Sequence, residues 1–261
     1  MLEASPNRPV IAMPMNDPGG VLFPLLTTIT PQLKSIFAAA YVSVPSATKT
    51  IQADRVGQLK TDNFFRVIEH DTDVPVGEDF LTLYARAAFD CPPDTIIHLA
   101  FLDRVAFALQ TAHQHQFIAD IQALTTADLP CLYQRTAAAW TTHPQNYYEL
   151  EQMLTRVGEL LFGRQLDFAW CHLVTTAHQL RAATAQIEQR DLSMMAELLL
   201  LLRDGLHTRD VDWLSWEDPF ITGRDAAELK QEREHSQAEL QKRLGYIVPM
   251  MEVLRRATRQ S

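Results

Sequence analysis

A chain of 261 residues, 47% hydrophobic and 21% charged, is large enough to bury a real core and is neither a disordered nor a fibrous composition. A net charge of −9 without any long basic cluster disfavours nucleic-acid binding, which needs a positive footprint to displace phosphate counterions. Three distant cysteines, Cys91, Cys131 and Cys171, give neither zinc nor redox spacing and suit a reducing cytoplasm, the expected location.

The chain opens without the basic-then-apolar pattern of a secretory signal. Val10–Met15 reads as a buried strand that breaks into the polar loop Pro14-Met-Asn-Asp-Pro-Gly-Gly20. Thr30-Pro31 reads as an N-cap followed by proline at the first helical position, opening a helix to about Ala40. Tyr41–Val44 is a second strand, Thr48–Lys60 a helix, Phe64–Ile68 a third strand, Glu78–Phe89 a helix and Thr95–Phe101 a fourth strand. This alternation predicts an α/β fold with a mainly parallel sheet covered on both faces.

Beyond Asp103 the pattern turns helical. Val105–Leu124 is amphipathic, and Tyr147–Phe162 carries Leu150, Met153, Leu154, Val157 and Leu161 at helical spacing. Leu166–Gln189 and Leu192–Leu206 read as helices, with a strand around Phe168–Val174 as the alternative. The apolar run Leu198–Leu202 is far too short to span a membrane. Ala226–Leu244 is a charged helix, and a last helix follows Pro249. The expectation is one domain without a linker: an α/β half over 8–125 and a mostly helical half over 126–261.

Five places carry candidate chemistry. The loop at Asn16 and Asp17 has two consecutive glycines that let a ligand approach the backbone, although alone it reads more readily as an ordinary strand-to-helix turn. Arg86, in an otherwise small or apolar helix, is either a planar clamp for a base or phosphate or a solvent-facing side chain. Asp103 follows an apolar strand and suits a divalent cation, a ribose hydroxyl or a helix cap. In Asp212-Trp-Leu-Ser-Trp-Glu-Asp-Pro219, two carboxylates flanked by tryptophans suit sugar recognition, or a helix start beside two core anchors. Trp140 and His143 precede a helix and are candidates for an acceptor pocket. Gly-x-Gly-x-x-Gly and Gly-x-x-x-x-Gly-Lys are both absent.

In order, these pieces resemble the GT-A nucleotide-sugar glycosyltransferases, family-2-like members in particular. Pro14-Met-Asn-Asp17 resembles that family's first loop, Gly77 through Ala88 its Gly-x-x-x-Ala-Arg helix, and Phe101-Leu-Asp103 its metal-motif strand, over roughly residues 8 to 110. The Trp-Glu-Asp segment resembles its late acidic motif. The resemblance implies a GT-A-like fold with a large helical C-terminal elaboration. It implies transfer of a sugar from a nucleotide-activated donor to a hydroxyl acceptor, or a non-catalytic nucleotide-sugar-binding or assembly protein of the same fold. Asp218, with Glu217 as its rival, would be the base; Asn16, Asp17, Arg86, Asp103 and Arg104 would contact the donor; and Asp103 would hold Mn2+ or Mg2+. The motif departs from the family pattern at Val105, where the second metal acid is missing, and at Arg104, which sets a positive charge beside the expected cation. A homo-oligomer is compatible with this reading.

Overall fold

A computed structural model describes residues 8–258. Seven strands form one sheet: β1 (Val10–Pro14), β2 (Ala39–Val44), β3 (Phe65–Glu69), β4 (Ile96–Ala100), β5 (Cys131–Arg135), β6 (His172–Thr176) and β7 (His207–Val211). Their spatial order is β3-β2-β1-β4-β6-β5-β7. β1, β2, β3 and β4 pair in parallel, β6 runs antiparallel to both β4 and β5, and β7 is parallel to β5. The protein is thus α/β with a mainly parallel sheet, and β5 points the same way as β4.

Helices cover both faces: α1 (Leu22–Ile36), α2 (Ser46–Ile51), α3 (Ala53–Thr61), α4 (Val76–Asp90), α5 (Leu102–Gln110), α6 (Gln114–Gln122), α7 (Ala137–Thr142), α8 (Gln145–Phe162), α9 (Ala177–Thr184), α10 (Met194–Leu202), α11 (Asp218–Thr222), α12 (Ala226–His235) and α13 (Gln237–Ala257). Successive strand side chains point to opposite faces. Ile11, Met13, Ala40 and Val42 therefore join one core with Leu26, Leu33 and Leu109. Val10, Ala12, Ile97 and Leu99 join the other with Leu83, Trp170, Leu199 and Ile247. Burial on both faces is why the central strands read as continuous apolar runs. No helix among the described residues is long and apolar enough to cross a membrane.

Several elements differ from the sequence reading. The first helix begins at Leu22, with Pro31 inside it. The stripe Phe23, Leu26, Ile29, Leu33 and Ile36 is buried, and this outweighs the roughly 3 kcal/mol an interior proline takes from a helix. The segment 105–124 is two helices, parted where Thr111 is extended. Around residues 168–189 the strand alternative is the observed one, as β6 followed by α9. The run after Ala226 is two helices because Ser236 caps a new one, with its side chain accepting from Glu239 N. That helix runs through Pro249. The half expected to be mostly helical also supplies β5, β6 and β7, so one sheet crosses the boundary near residue 125.

Candidate functional site

β4 delivers the chain to the carboxyl edge of the sheet, and α5 starts at once, with Phe101 at its N-cap position. Asp103 lies in the first turn of α5, and its carboxylate accepts from Arg104 N at 2.8 Å. Burial raises its pKa; Arg104 opposes that rise and Asp218 adds to it. Asp103 is thus a strand-end acid inside the first turn of α5, and no side chain caps that helix.

β7 also ends at this edge. After it, a short turn over Asp212–Leu214 buries Trp213 and Leu214, and Trp216 N donates to Thr142 Oγ1 of α7 at 2.8 Å. This pins Glu217, which is 5% exposed, into a buried ion pair with Arg104. The Arg104 guanidinium also donates to Ser215 O at 3.3 Å. Burial pushes the Glu217 carboxyl up to about 7; Arg104 resists this, while Asp103 and Asp218 reinforce it. Asp218 is more open, with its carboxylate 3.5 Å from Arg233 of α12. Of the two acids of the Trp-Glu-Asp segment, the buried one with proton affinity near neutrality is Glu217.

A second charged group lies alongside, one that the sequence reading did not anticipate. Arg135, the last residue of β5, meets Glu151 of α8 at 2.5 Å and Asp167 at 3.3 Å. Arg243 of α13 reaches the other oxygen of Glu151 at 2.7 Å, and Tyr246 donates to it at 3.1 Å. Two arginines hold the Glu151 carboxyl below its usual range despite complete burial. His143 is buried beside them; burial, then Arg135 and Arg104, lower its pKa far below the ordinary imidazole value. The legible signal was an arginine ending the short run Cys131-Leu-Tyr-Gln-Arg135, which becomes visible once that run is read as a strand.

Above Arg135 opens a cleft of about 530 Å³. Its walls come from the end of β5, from α7 with Trp140, from α8 with Tyr148 and Gln152, and from Gln165, Asp167 and Asp210. Trp140 lines it, while His143 lies behind, its Nδ1 facing Ala139 O at 3.0 Å.

The remaining expected residues divide. Asn16 is exposed at the carboxyl end of β1, the neighbour of β4, and so shares the edge with Asp103. Asp17 is engaged within the protein. Its carboxylate accepts from Val21 N and Leu22 N, each at 2.7 Å, and from Phe23 N at 3.1 Å, occupying both oxygens in holding the start of α1. The glycine loop is tied down as well, with Gln52 donating to Pro18 O and Arg55 to Gly20 O. Arg86 is exposed and paired with Asp90. Because α4 connects two parallel strands, it runs back from the carboxyl edge. Arg86 stands ten residues beyond Val76, about 15 Å along the axis and toward the opposite edge. The structure therefore does not bring Arg86 together with Asn16 and Asp103 at the carboxyl edge.

The donor set does not suit a cation held by protein groups alone. Divalent ions of this class want several oxygen ligands, yet Val105 is fully buried where the second acid would stand and Arg104 brings its own positive charge. Among the described residues, no group of three or more His, Cys, Asp or Glu side chains is arranged to hold a metal.

No protein-family model matches the chain, and no curated protein matches it in sequence. Among solved structures it is similar to glucosyl-3-phosphoglycerate synthase from Mycobacterium tuberculosis in complex with Mn2+, uridine diphosphate and glucosyl-3-phosphoglycerate. The identity is 12% over 93% of this chain and 82% of that one, with a TM-score of 0.48. The same enzyme with Mn2+, UDP-glucose and phosphoglyceric acid gives 12% identity, 93% and 81% coverage and a TM-score of 0.47. A mycobacterial protein gives 16% identity, 93% and 76% coverage and a TM-score of 0.47. Likeness at this level assigns neither ligand nor residue to this chain.

Proposed function

We propose that the protein is a GT-A-like glycosyltransferase that moves a sugar from a nucleotide-activated donor to a hydroxyl acceptor. The observation that carries this reading is Glu217: a buried carboxyl with a pKa near 7, set against Arg104 at the carboxyl edge where open α/β sheets bind ligands. A general base works best when its pKa lies near the working pH. In the transfer step the acceptor hydroxyl gives its proton to Glu217 as its oxygen bonds to the anomeric carbon. The bond from that carbon to the diphosphate oxygen breaks, and the electron pair leaves with the nucleoside diphosphate. Arg104 stabilises that departure as the cation of the site, with Asp103 beside it and Asn16 on the nucleotide side. A diphosphate that draws on Arg104 loosens its hold on Glu217, which raises the proton affinity of the base as the donor arrives. Asp218 is the alternative base.

A non-catalytic binding or assembly protein of the same fold is the second reading. It is favoured by Val105 in the place of a metal acid and by the resting pairing of Arg104 with Glu217. Release of nucleoside diphosphate from nucleotide-sugars, measured per folded molecule across an acceptor panel, separates the two. Release that disappears in Glu217→Gln supports transfer; nucleotide binding without release by the native chain supports the second reading.

A further inference from the structure

We propose that the cleft above Arg135 binds a neutral, polyhydroxylated ligand, a saccharide face rather than a phosphorylated or carboxylated molecule. Calling that ligand the acceptor rests on the glycosyl-transfer reading; its chemistry rests on the cleft alone.

Charge decides first. The cleft is lined by one basic side chain, Arg135, and by two acids, Asp167 and Asp210. Arg135 is 3% exposed at its side chain and is engaged by Glu151 and Asp167, with the ring of Trp140 4.2 Å from its guanidinium. Glu151 and Asp167 balance that charge, and an incoming anion would also meet Asp167 and Asp210 on the cleft walls. Like charges brought together at a binding surface act against the partner that carries them.

The polar lining fits hydroxyls instead. Gln152 and Thr155 of α8, with Gln165 opposite, line the walls. Amides and hydroxyls both donate and accept, as sugar hydroxyls do. Asp167 is 6% exposed, and its Oδ1 carries no hydrogen bond of sound geometry among the described residues. Where Asp167 and Asp210 border the cleft, a carboxylate accepts from a ligand hydroxyl and repels a phosphate oxygen.

One wall is aromatic. Tyr148 is 37% exposed and meets Trp140 edge-on at 5.5 Å, so its position is fixed while its surface stays open. Such a surface can cover the C–H face of a pyranose ring. At about 530 Å³ the cleft falls within the usual range for small-ligand sites. Trp216 N, hydrogen-bonded to α7, ties this wall to the neighbour of Glu217.

The test is ligand-observed saturation-transfer NMR and titration of the whole chain, without nucleotide. Methyl α-glucoside, methyl α-mannoside and maltose are compared with 3-phosphoglycerate and glycerol 3-phosphate at equal concentration. The expected result is binding of at least one neutral saccharide and of neither phosphorylated compound, weakened roughly tenfold by Tyr148→Ala and also weakened by Gln152→Ala. Preference for a phosphorylated compound, binding of neither class, or saccharide binding untouched by both substitutions overturns the inference. The two readings fail separately. Saccharide binding in a chain that ignores nucleotide-sugars leaves the cleft assignment standing and removes glycosyl transfer. Transfer to a phosphorylated acceptor does the reverse.

Discussion

Arg104 and Glu217 form a buried ion pair that ties the first turn of α5 to the start of α11. The pairing joins the end of the β4 motif to the late Trp-Glu-Asp segment, and burial, against the pull of Arg104, raises the carboxyl to about 7. If Glu217 is the base, it must be ionised to act. Transfer should therefore rise with pH through about 7 and level off above it. The pH profile of kcat/KM for the free enzyme checks this; a flat profile from pH 6 to 8 would exclude Glu217.

Glu217→Gln keeps the volume and removes the proton acceptor. Turnover should fall by roughly 10²–10⁴-fold, the usual contribution of a positioned acid or base, while Asp218→Asn should leave most of it. Both are measured per folded molecule, because the first change also leaves Arg104 without its counter-ion and so lowers stability. Loss in Asp218→Asn with retention in Glu217→Gln would move the base by one residue.

Arg135 holds two buried acids, so Arg135→Met should strand both. Removing one partner of a buried ionic group typically destabilises by about 3–5 kcal/mol, visible as a lower midpoint in denaturant unfolding. By contrast, Arg86→Ala should change stability and nucleotide binding little, because exposed pairs such as Arg86–Asp90 contribute about 1 kcal/mol or less.

His98 and His172 face each other at 2.8 Å, fully buried among the rings of Phe37, Phe117, Tyr133 and Trp213. Burial pushes His98 down to about 3; burial, then His98 and the two arginines, push His172 well down as well. Above the unfolded value near 6.5 both are neutral in either state. As pH falls below it, the unfolded chain takes protons that the folded chain refuses. Stability is lost by up to about 1.4 kcal/mol per pH unit for each histidine. Glu217 acts with the opposite sign, since its raised pKa favours the folded state at low pH and that benefit fades as pH rises toward 7. The difference in slope between the native chain and His98→Leu/His172→Leu, from pH 6.5 to 4.5, isolates the histidines. Equal slopes would mean that the pair takes up protons without unfolding.

Gly77 belongs to the helix that resembles a donor-binding motif, yet its close approach is to protein. A β-carbon there would lie 2.1 Å from the Asp191 carbonyl oxygen, and backbone cannot step aside as a flexible side chain does. Gly77→Ala should lower stability by about 1–3 kcal/mol, read as a drop in Tm with nucleotide affinity per folded molecule retained.

β1, β2 and β4 were legible because they are buried on both faces and leave largely apolar runs such as Val10–Met13, while the edge strand β3 showed through Phe64, Phe65, Val67 and Ile68. β7 was not, because His207-Thr-Arg-Asp-Val211 is an edge strand with mostly polar, exposed side chains, and its place comes from pairing with β5. The start of α1 was misread because Thr30-Pro31 imitates a helix opening, while the true anchor, Asp17, caps from outside the helix. In the site, Asp103, Arg104 and Glu217 were nameable from motif order. Which acid is buried depends on Trp216 being pinned to Thr142, a contact between distant segments. Arg135, Glu151, Asp167 and Arg243 come from separate elements, and no local spacing links them.

The reversed strand β6 has a further consequence. Because it runs against its neighbours, the segment entering it, with Asp167, arrives at the same edge as the segments leaving β4, β5 and β7. The chain visits that edge near residues 103, 135, 167 and 217, and each visit leaves a charged side chain behind. The central β4 is in hand early, yet any nascent chain shorter than 217 residues lacks the carboxylate that completes the constellation. During synthesis the arginines at 104 and 135 are therefore made before their last partners.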